Sequence, residues 1–278
     1  MNYAVSRLPL FFFLVLLHAG CGPEAEVGVH FSRLSGKGGQ DAPSSGMPAD
    51  SIPPKDSALL HAVPDAGLSE LMGKFDPATH AGFLPVGSPY TRKTGMLLRR
   101  ETLEAFKKMW AAAKKDGVDL FIISSTRTFA QQKGIWEGKW TRFAADYPRA
   151  EDRARKILEY SAMPGASRHH WGTDIDLNDL NNASFEPGGQ YENVYRWLTA
   201  HAAEYGFCQP YSPKGKERPN GYNEEKWHWS YLPVAKPLLQ QYRRHVHDDL
   251  ITGFSGAATA PALHIVEHYA LGINRKCE

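Results

Sequence analysis

Ser167-Arg168-His169-His170-Trp171-Gly172-Thr173-Asp174-Ile175-Asp176 is the stretch on which the reading of this chain turns, and Glu225-Lys226-Trp227-His228 answers it further on. Both are dense in residue types that bind metal ions. A hydrolytic zinc needs three protein ligands and one open position for water, and two histidines with one carboxylate are a standard supply. The water must then lose a proton to a nearby group that is not a ligand, usually Glu. His169, Asp176 and His228 can fill the ligand roles, with Glu225 as the base. Spacing alone is weak support. The chain has 12 histidines, most of which must be surface or structural residues. Adjacent His169 and His170 suit a solvated turn equally well, and Trp227 and Trp229 suit a core.

Two other metal readings fail on the residues. There is no His-Glu-x-x-His, which excludes the common helical zincin arrangement. Asp174, Asp176 and Asn178 alternate as in a calcium loop, but that loop needs Gly and Glu where this chain has Asp179 and Phe185. On a strand, Asp174 would share a face with Asp176, either competing for zinc or supporting its ligands.

Outward from the first stretch, Met163-Pro164-Gly165 breaks the chain. Upstream, Glu101 to Asp116 places Leu103, Phe106, Trp110 and Ala113 on one helical face, with Gly117 suited to end it. A β-rich run follows at 118–125. Helices are predicted at 129–140, 152–161 and 192–205, and the tail from 232 to 273 reads as mostly helical. Helices mixed with short strands, without βαβ alternation, predict an α+β fold with one catalytic domain.

With 278 residues, 42% of them hydrophobic and 22% charged, the composition is that of an ordinary soluble globular protein, long enough to bury a sizeable core. A net charge of +2 and the lack of a basic stripe give no case for nucleic acid. At the N-terminus, Arg7 precedes the apolar run Leu8–Leu17 and then His18-Ala19-Gly20-Cys21. The run is short for a mature membrane span but suits a secretory signal. Small residues before Cys21 are similar to a bacterial lipoprotein signal, although His18 stands where leucine is usual. Residues 1–21 therefore read as a signal of lipoprotein type with Cys21 as the lipidation site. Residues 22–69, rich in Gly, Ser, Pro and Ala, read as a flexible linker. With Cys21 acylated, Cys208 and Cys277 remain as a plausible disulfide in an oxidising compartment, two buried free thiols being the alternative.

The paired stretches resemble the signature of the VanY-type D-alanyl-D-alanine carboxypeptidases, part of a wider group of zinc folds. That family reads Ser-x-His-x-x-Gly-x-Ala-x-Asp and later Glu-x-Trp-His. The chain matches at Ser167, His169, Gly172, Asp176, Glu225, Trp227 and His228. A third block, Ser124-Ser125-Thr126-Arg127-Thr128-Phe129 with Gln132, resembles the family's Ser-Gly-Tyr-Arg-Ser run ending in Gln. Tyr195-Arg196-Trp197-Leu198 and Tyr205-Gly206-Phe207 add to the likeness, which covers roughly 90 to 235.

The resemblance implies a zinc peptidase domain over 70–278, a small antiparallel sheet flanked by helices, and a zinc site in a cleft. It implies His169, Asp176 and His228 as zinc ligands and Glu225 as catalytic base. Arg127 would hold an oxyanion or a substrate carboxylate, and Ser167 and Gln132 would line the subsite of the terminal residue. The partner would be a peptidoglycan stem peptide, met in the bacterial periplasm or cell envelope by an exported, lipid-anchored protein. An L,D-carboxypeptidase, a cross-link endopeptidase and a non-catalytic cell-wall-binding module are the alternatives. Two departures bear on substrate choice: Asp174 stands where the family commonly has Ala, and Ser230 where many relatives have Arg.

Overall fold

The structure, a computed structural model, describes residues 66–278. The expected signal, Cys21 and the linker up to residue 65 lie outside the described residues. The end of the expected linker does not. Ala66 is buried and donates its N–H to Gln241 Oε1 at 2.7 Å, and a short helix, α1 (Leu68–Leu71), starts before the expected boundary at 70. Leu71 is fully buried, which ties this segment to the folded body.

Strands β1 (Phe83–Pro85) and β2 (Leu97–Arg99) form a two-stranded antiparallel ribbon leading into α2 (Arg100–Lys115). Four more strands, β3 (Ile122–Ser124), β4 (Asp174–Leu177), β5 (Phe207–Cys208) and β6 (His228–Tyr231), make an antiparallel sheet in the order β3-β4-β6-β5. This is the α+β fold expected from the sequence.

Side chains on a strand alternate between faces, so each strand divides its residues between two environments. On one face Ile122, Ile175, Leu177 and Trp229 join Leu103, Phe106 and Met109 of α2 in one apolar cluster. Val194, Trp197 and Leu198 of α5 (Glu192–His201) complete it. A second cluster is built by Trp136 of α3 (Phe129–Arg142), Ala154 and Ile157 of α4 (Ala150–Ile157), and Leu238 and Tyr242 of α6 (Leu232–His245). Thr128 caps α3 through a reciprocal capping box with Gln131, fixing the chain direction just after Arg127.

The tail departs from the mostly helical expectation. After α6 it runs through short turns, α7 (Ala260–Leu263) and a wide turn at Ile265–Ala270. Gly253 and Gly256 adopt positive φ, as does His264, and these stop any long helix. Near the chain end Cys277 is bonded to Cys208 of β5, with Cα atoms 5.7 Å apart across a sequence separation of 69. Closing a loop of that length stabilises the fold by about 4 kcal/mol on the chain-entropy account.

Candidate metal centre

The register of the sheet assembles the site. Asp176 on β4 lies directly opposite His228 on β6, with Ser124 of β3 on its other side, so the three form a row across the sheet. Asp174 lies opposite Ser230 in the next row of the same face. The apolar partners Ile175 and Trp229 occupy the opposite face, so one alternation serves both core and chemistry.

His169 arrives from the 3₁₀ turn Arg168–Trp171, which ends at Gly172 in the left-handed conformation with φ 71°. A Cβ at Gly172 would approach a Phe83 ring carbon to 2.4 Å, so both backbone and space demand glycine. The turn is held from outside by Arg99, whose Nε donates to the Trp171 carbonyl at 2.7 Å and whose guanidinium pairs with Glu70. His169 and His170 are both buried, which removes the solvated-turn alternative.

The two neighbours do different work. His170 Nδ1 lies 2.6 Å from the Arg127 carbonyl and donates to it, while its Nε2 accepts the Gly165 N–H at 3.0 Å. Burial pushes the His170 imidazole down to about 3, so the ring is neutral and structural. His169 Nδ1 donates to the Ser125 carbonyl at 2.8 Å, which leaves Nε2 as a bare acceptor. That Nε2 is buried without a hydrogen-bond partner, 3.4 Å from Asp176 Oδ2. Burial also holds the His169 ring below its ordinary value, and therefore neutral.

His228 presents the other nitrogen. Its Nε2 faces Asp174 Oδ1 at 2.9 Å, and its Nδ1 lies 3.2 Å from both Asp176 Oδ1 and Glu225 Oε2. Burial opposes charge on this ring, but Asp174, Asp176 and Glu225 outweigh it and hold the imidazole well above its usual range. The surroundings therefore favour positive charge at this point. Asp176 is pushed up by burial and pulled further down by His169 and His228, so it is ionised.

His169, Asp176 and His228 each offer a ligand atom, all within 4.8 Å of one another, and all three residues are buried. Asp176 Oδ1, like His169 Nε2, is buried without a hydrogen-bond partner. Orphaned buried acceptors are costly unless something binds them. Two imidazole nitrogens, one carboxylate and surroundings that favour positive charge fit a zinc ion, whose binding displaces the His228 Nδ1 proton.

Glu225 lies against this cluster and is not needed as a ligand. Burial pushes its carboxyl above the ordinary range, which suits a proton acceptor and donor. Its backbone N–H is anchored on the Tyr211 carbonyl at 2.9 Å, and the Tyr211 ring packs on His228 with centroids 4.8 Å apart. Arg127 stands on the other side, with Nη1 donating to Ser124 Oγ at 2.9 Å and lying 3.7 Å from Asp176 Oδ2.

A cleft of about 520 Å³ opens over these groups, and Arg127, Gln132, Ser167, His169, Asp176, Glu225 and His228 all line it. Each sequence-predicted residue of the domain site thus reaches one cavity. Gln132 is less free than expected, because its Nε2 donates to the Ala162 carbonyl at 2.8 Å and its Oε1 is left unpartnered. Sequence reasoning missed Lys139 and Tyr211, which also line the cleft. The available signal was the spacing of Gln132, Ile135 and Lys139 along one face of α3. Lys139 donates to Ser161 Oγ, and burial holds its ammonium below the usual range. Ile135, Tyr160 and Leu180, three exposed large apolar side chains, edge the same opening, as expected where a ligand covers them.

Fold and site together define a small antiparallel-sheet protein with a two-histidine, one-carboxylate metal site beside a buried glutamate. Comparison with known sequences makes this specific: the family model VanY, D-alanyl-D-alanine carboxypeptidase, matches residues 95–234, and the chain belongs to that family. The D-alanyl-D-alanine carboxypeptidase of Enterococcus faecalis is 31% identical over 127 residues, 45% of each chain. YodJ of Bacillus subtilis is 31% identical over 137 residues, 49% of this chain and 46% of that one. An uncharacterized protein of Haemophilus influenzae is 32% identical over 91 residues, 29% of this chain and 68% of the relative. The chain thus spans about half the length of the first two relatives. Among solved structures, VanYB in complex with D-alanine-D-alanine aligns at 24% identity and TM-score 0.43, covering 58% of this chain and 88% of that one. The LdcB LD-carboxypeptidase aligns at 25% identity and TM-score 0.46, covering 62% and 76%.

Proposed function

We propose that this protein is a zinc-dependent D-alanyl-D-alanine carboxypeptidase acting on peptidoglycan stem peptides. The observation that carries the reading is the convergence of His169 Nε2, Asp176 and His228 Nδ1 on one buried point, with Glu225 and Arg127 flanking it in an open cleft. These three residues would hold a zinc ion, which would supply Lewis acidity at the scissile carbonyl and lower the pKa of a bound water. Glu225 accepts the proton of the attacking water and returns a proton to the leaving amine. Its raised basicity, a consequence of burial, suits both transfers.

Arg127 holds negative charge on the substrate, either at the developing oxyanion or at the terminal carboxylate. Its carbonyl bond from His170 and its Nη1 bond to Ser124 fix it before substrate arrives. Ser167 lines the subsite beside it. Lys139 adds a second cation on the cleft wall for an acidic stem.

The Cys208–Cys277 bond supports work outside the reducing cytoplasm, in the cell envelope. Export by the N-terminal signal and anchoring through Cys21 belong to the same reading. Product analysis on defined muropeptides tests the activity. Release of D-alanine from a stem pentapeptide is the expected result. Cleavage within cross-links, or release of D-alanine from tetrapeptides alone, would replace it by the endopeptidase or the L,D-carboxypeptidase.

A further inference from the structure

The geometry points to Asp174 as a positioning residue that fixes His228 as a ligand through Nδ1, with Arg168 and Ser230 acting as one unit with it. The inference rests on the zinc reading above and extends it to residues outside the ligand set.

Asp174 is fully buried, and its carboxylate is saturated. Oδ1 faces His228 Nε2 at 2.9 Å and accepts from Arg168 Nε at 3.0 Å. Oδ2 accepts from Thr173 Oγ1 at 2.6 Å and from Ser230 Oγ at 3.0 Å. Four donors fill the acceptor capacity of one carboxylate, so nothing is left to bind a metal. This settles the choice posed by its position two residues from Asp176: Asp174 supports a ligand and does not compete for the ion.

The bond from His228 decides which ring nitrogen is bare. With Nε2 held as a donor to Asp174, Nδ1, which faces Asp176 and Glu225, is the nitrogen left to give up its proton and bind a metal. A ring held by a carboxylate in this way is also more basic toward a metal. His169 is set in the opposite sense by a neutral carbonyl, Ser125 O. One histidine of the pair is thus tuned by charge and the other is not.

Ser230 and Arg168 complete the unit. Ser230 lies directly opposite Asp174 in the sheet register. The small Ser230 side chain leaves room for Arg168, whose Nη2 donates to Ser230 Oγ at 2.6 Å while its guanidinium packs on the Trp171 ring at 4.7 Å. The cation of this unit is delivered from the turn at position 168. Arg168 is 1% exposed, and Asp174 is its only ion-pair partner among the described residues.

The test uses the full chain with Asp174→Asn, which keeps the shape and removes the charge, and Ser230→Ala as a control. Zinc affinity is measured by chelator competition on the folded protein, and the cobalt-substituted protein is compared by its visible absorption. Asp174→Asn is expected to fold and to bind zinc about 10–100-fold more weakly with an altered cobalt spectrum. Ser230→Ala should lose several-fold less. Wild-type affinity and spectrum in a folded Asp174→Asn would overturn the inference and leave the zinc site standing. Should that variant fail to fold, ¹⁵N NMR of the wild-type zinc protein decides. His228 protonated at Nε2 and coordinated through Nδ1 is expected, and coordination through Nε2 overturns the inference. A wild-type chain that binds no zinc overturns the zinc reading itself.

Discussion

His170 Nδ1 donates to the Arg127 carbonyl at 2.6 Å, so the neighbour of His169 in the candidate metal cluster holds Arg127, which lines the cleft. Because the ring must stay neutral to accept from Gly165 as well, this bond sets a pH dependence. The His170 value is about 3 in the folded chain and about 6.5 when unfolded, so the unfolded chain binds the extra proton between them. Stability is full above about pH 6.5 and is lost as pH falls toward 3, by up to about 5 kcal/mol. His170→Asn keeps a donor near Nδ1 but cannot be protonated. Urea unfolding at pH 4 and pH 7 should show a smaller pH difference in this variant, and an unchanged difference would count against the assignment.

His228→Ala removes one ligand of the proposed zinc site. Metal analysis of the purified variant should show less than one equivalent of zinc. A full equivalent would place the ion elsewhere.

Glu225→Gln keeps shape and loses the proton acceptor. Zinc content should be retained while hydrolysis falls by several orders of magnitude, since both proton transfers depend on this residue. Glu224→Gln should remain active, because Glu224 Oε1 is engaged with Tyr195 OH, at 3.3 Å, on the far side of the segment. Similar turnover in wild type and Glu225→Gln would remove Glu225 from the mechanism.

A free terminal carboxylate should matter to turnover if Arg127 receives it. Amidating the terminus of a D-Ala-D-Ala stem peptide should lower kcat/KM about tenfold or more, given roughly 1.5–3 kcal/mol for a charge-assisted hydrogen bond. Arg127→Lys should lose the preference for the free acid, since an ammonium lacks the planar fork. Equal rates on both peptides would favour the endopeptidase.

Gly172→Ala should destabilise the fold by about 1–3 kcal/mol through backbone strain alone, with more from the clash against Phe83. Thermal unfolding of the variant checks this. A melting temperature equal to wild type would mean that the turn can relax.

The candidate ligand set was legible because its residue types sit in two short stretches with fixed spacing, and the strand register brings Asp176 and His228 together. Helices α2 and α3 were legible from periodicity to within two residues at either end. The strand expected at 118–125 shrinks to Ile122–Ser124 for a reason no propensity reveals. Asn178, at φ 63°, takes the place of a ladder there: its N–H and side chain bond to the backbone of Phe121 and Asp119. Lys139 and Tyr211 escaped notice because their role comes from a cleft shared by segments far apart in sequence. The part played by Asp174 was open for the same reason, since it depends on Arg168 and Ser230 meeting beneath His228.

Strand β4 carries two messages in one parity: Asp174 and Asp176 are its even positions, Ile175 and Leu177 its odd ones. Any loss or gain of one residue here would exchange the two sets, driving carboxylates into the apolar cluster and isoleucine into the cleft. Point substitutions can damage chemistry or packing separately, whereas a frame-preserving single-codon deletion must damage both. Diversification of this chain by insertion and deletion is therefore confined to its connecting segments, and a library built on this sheet should vary identities while keeping its length fixed.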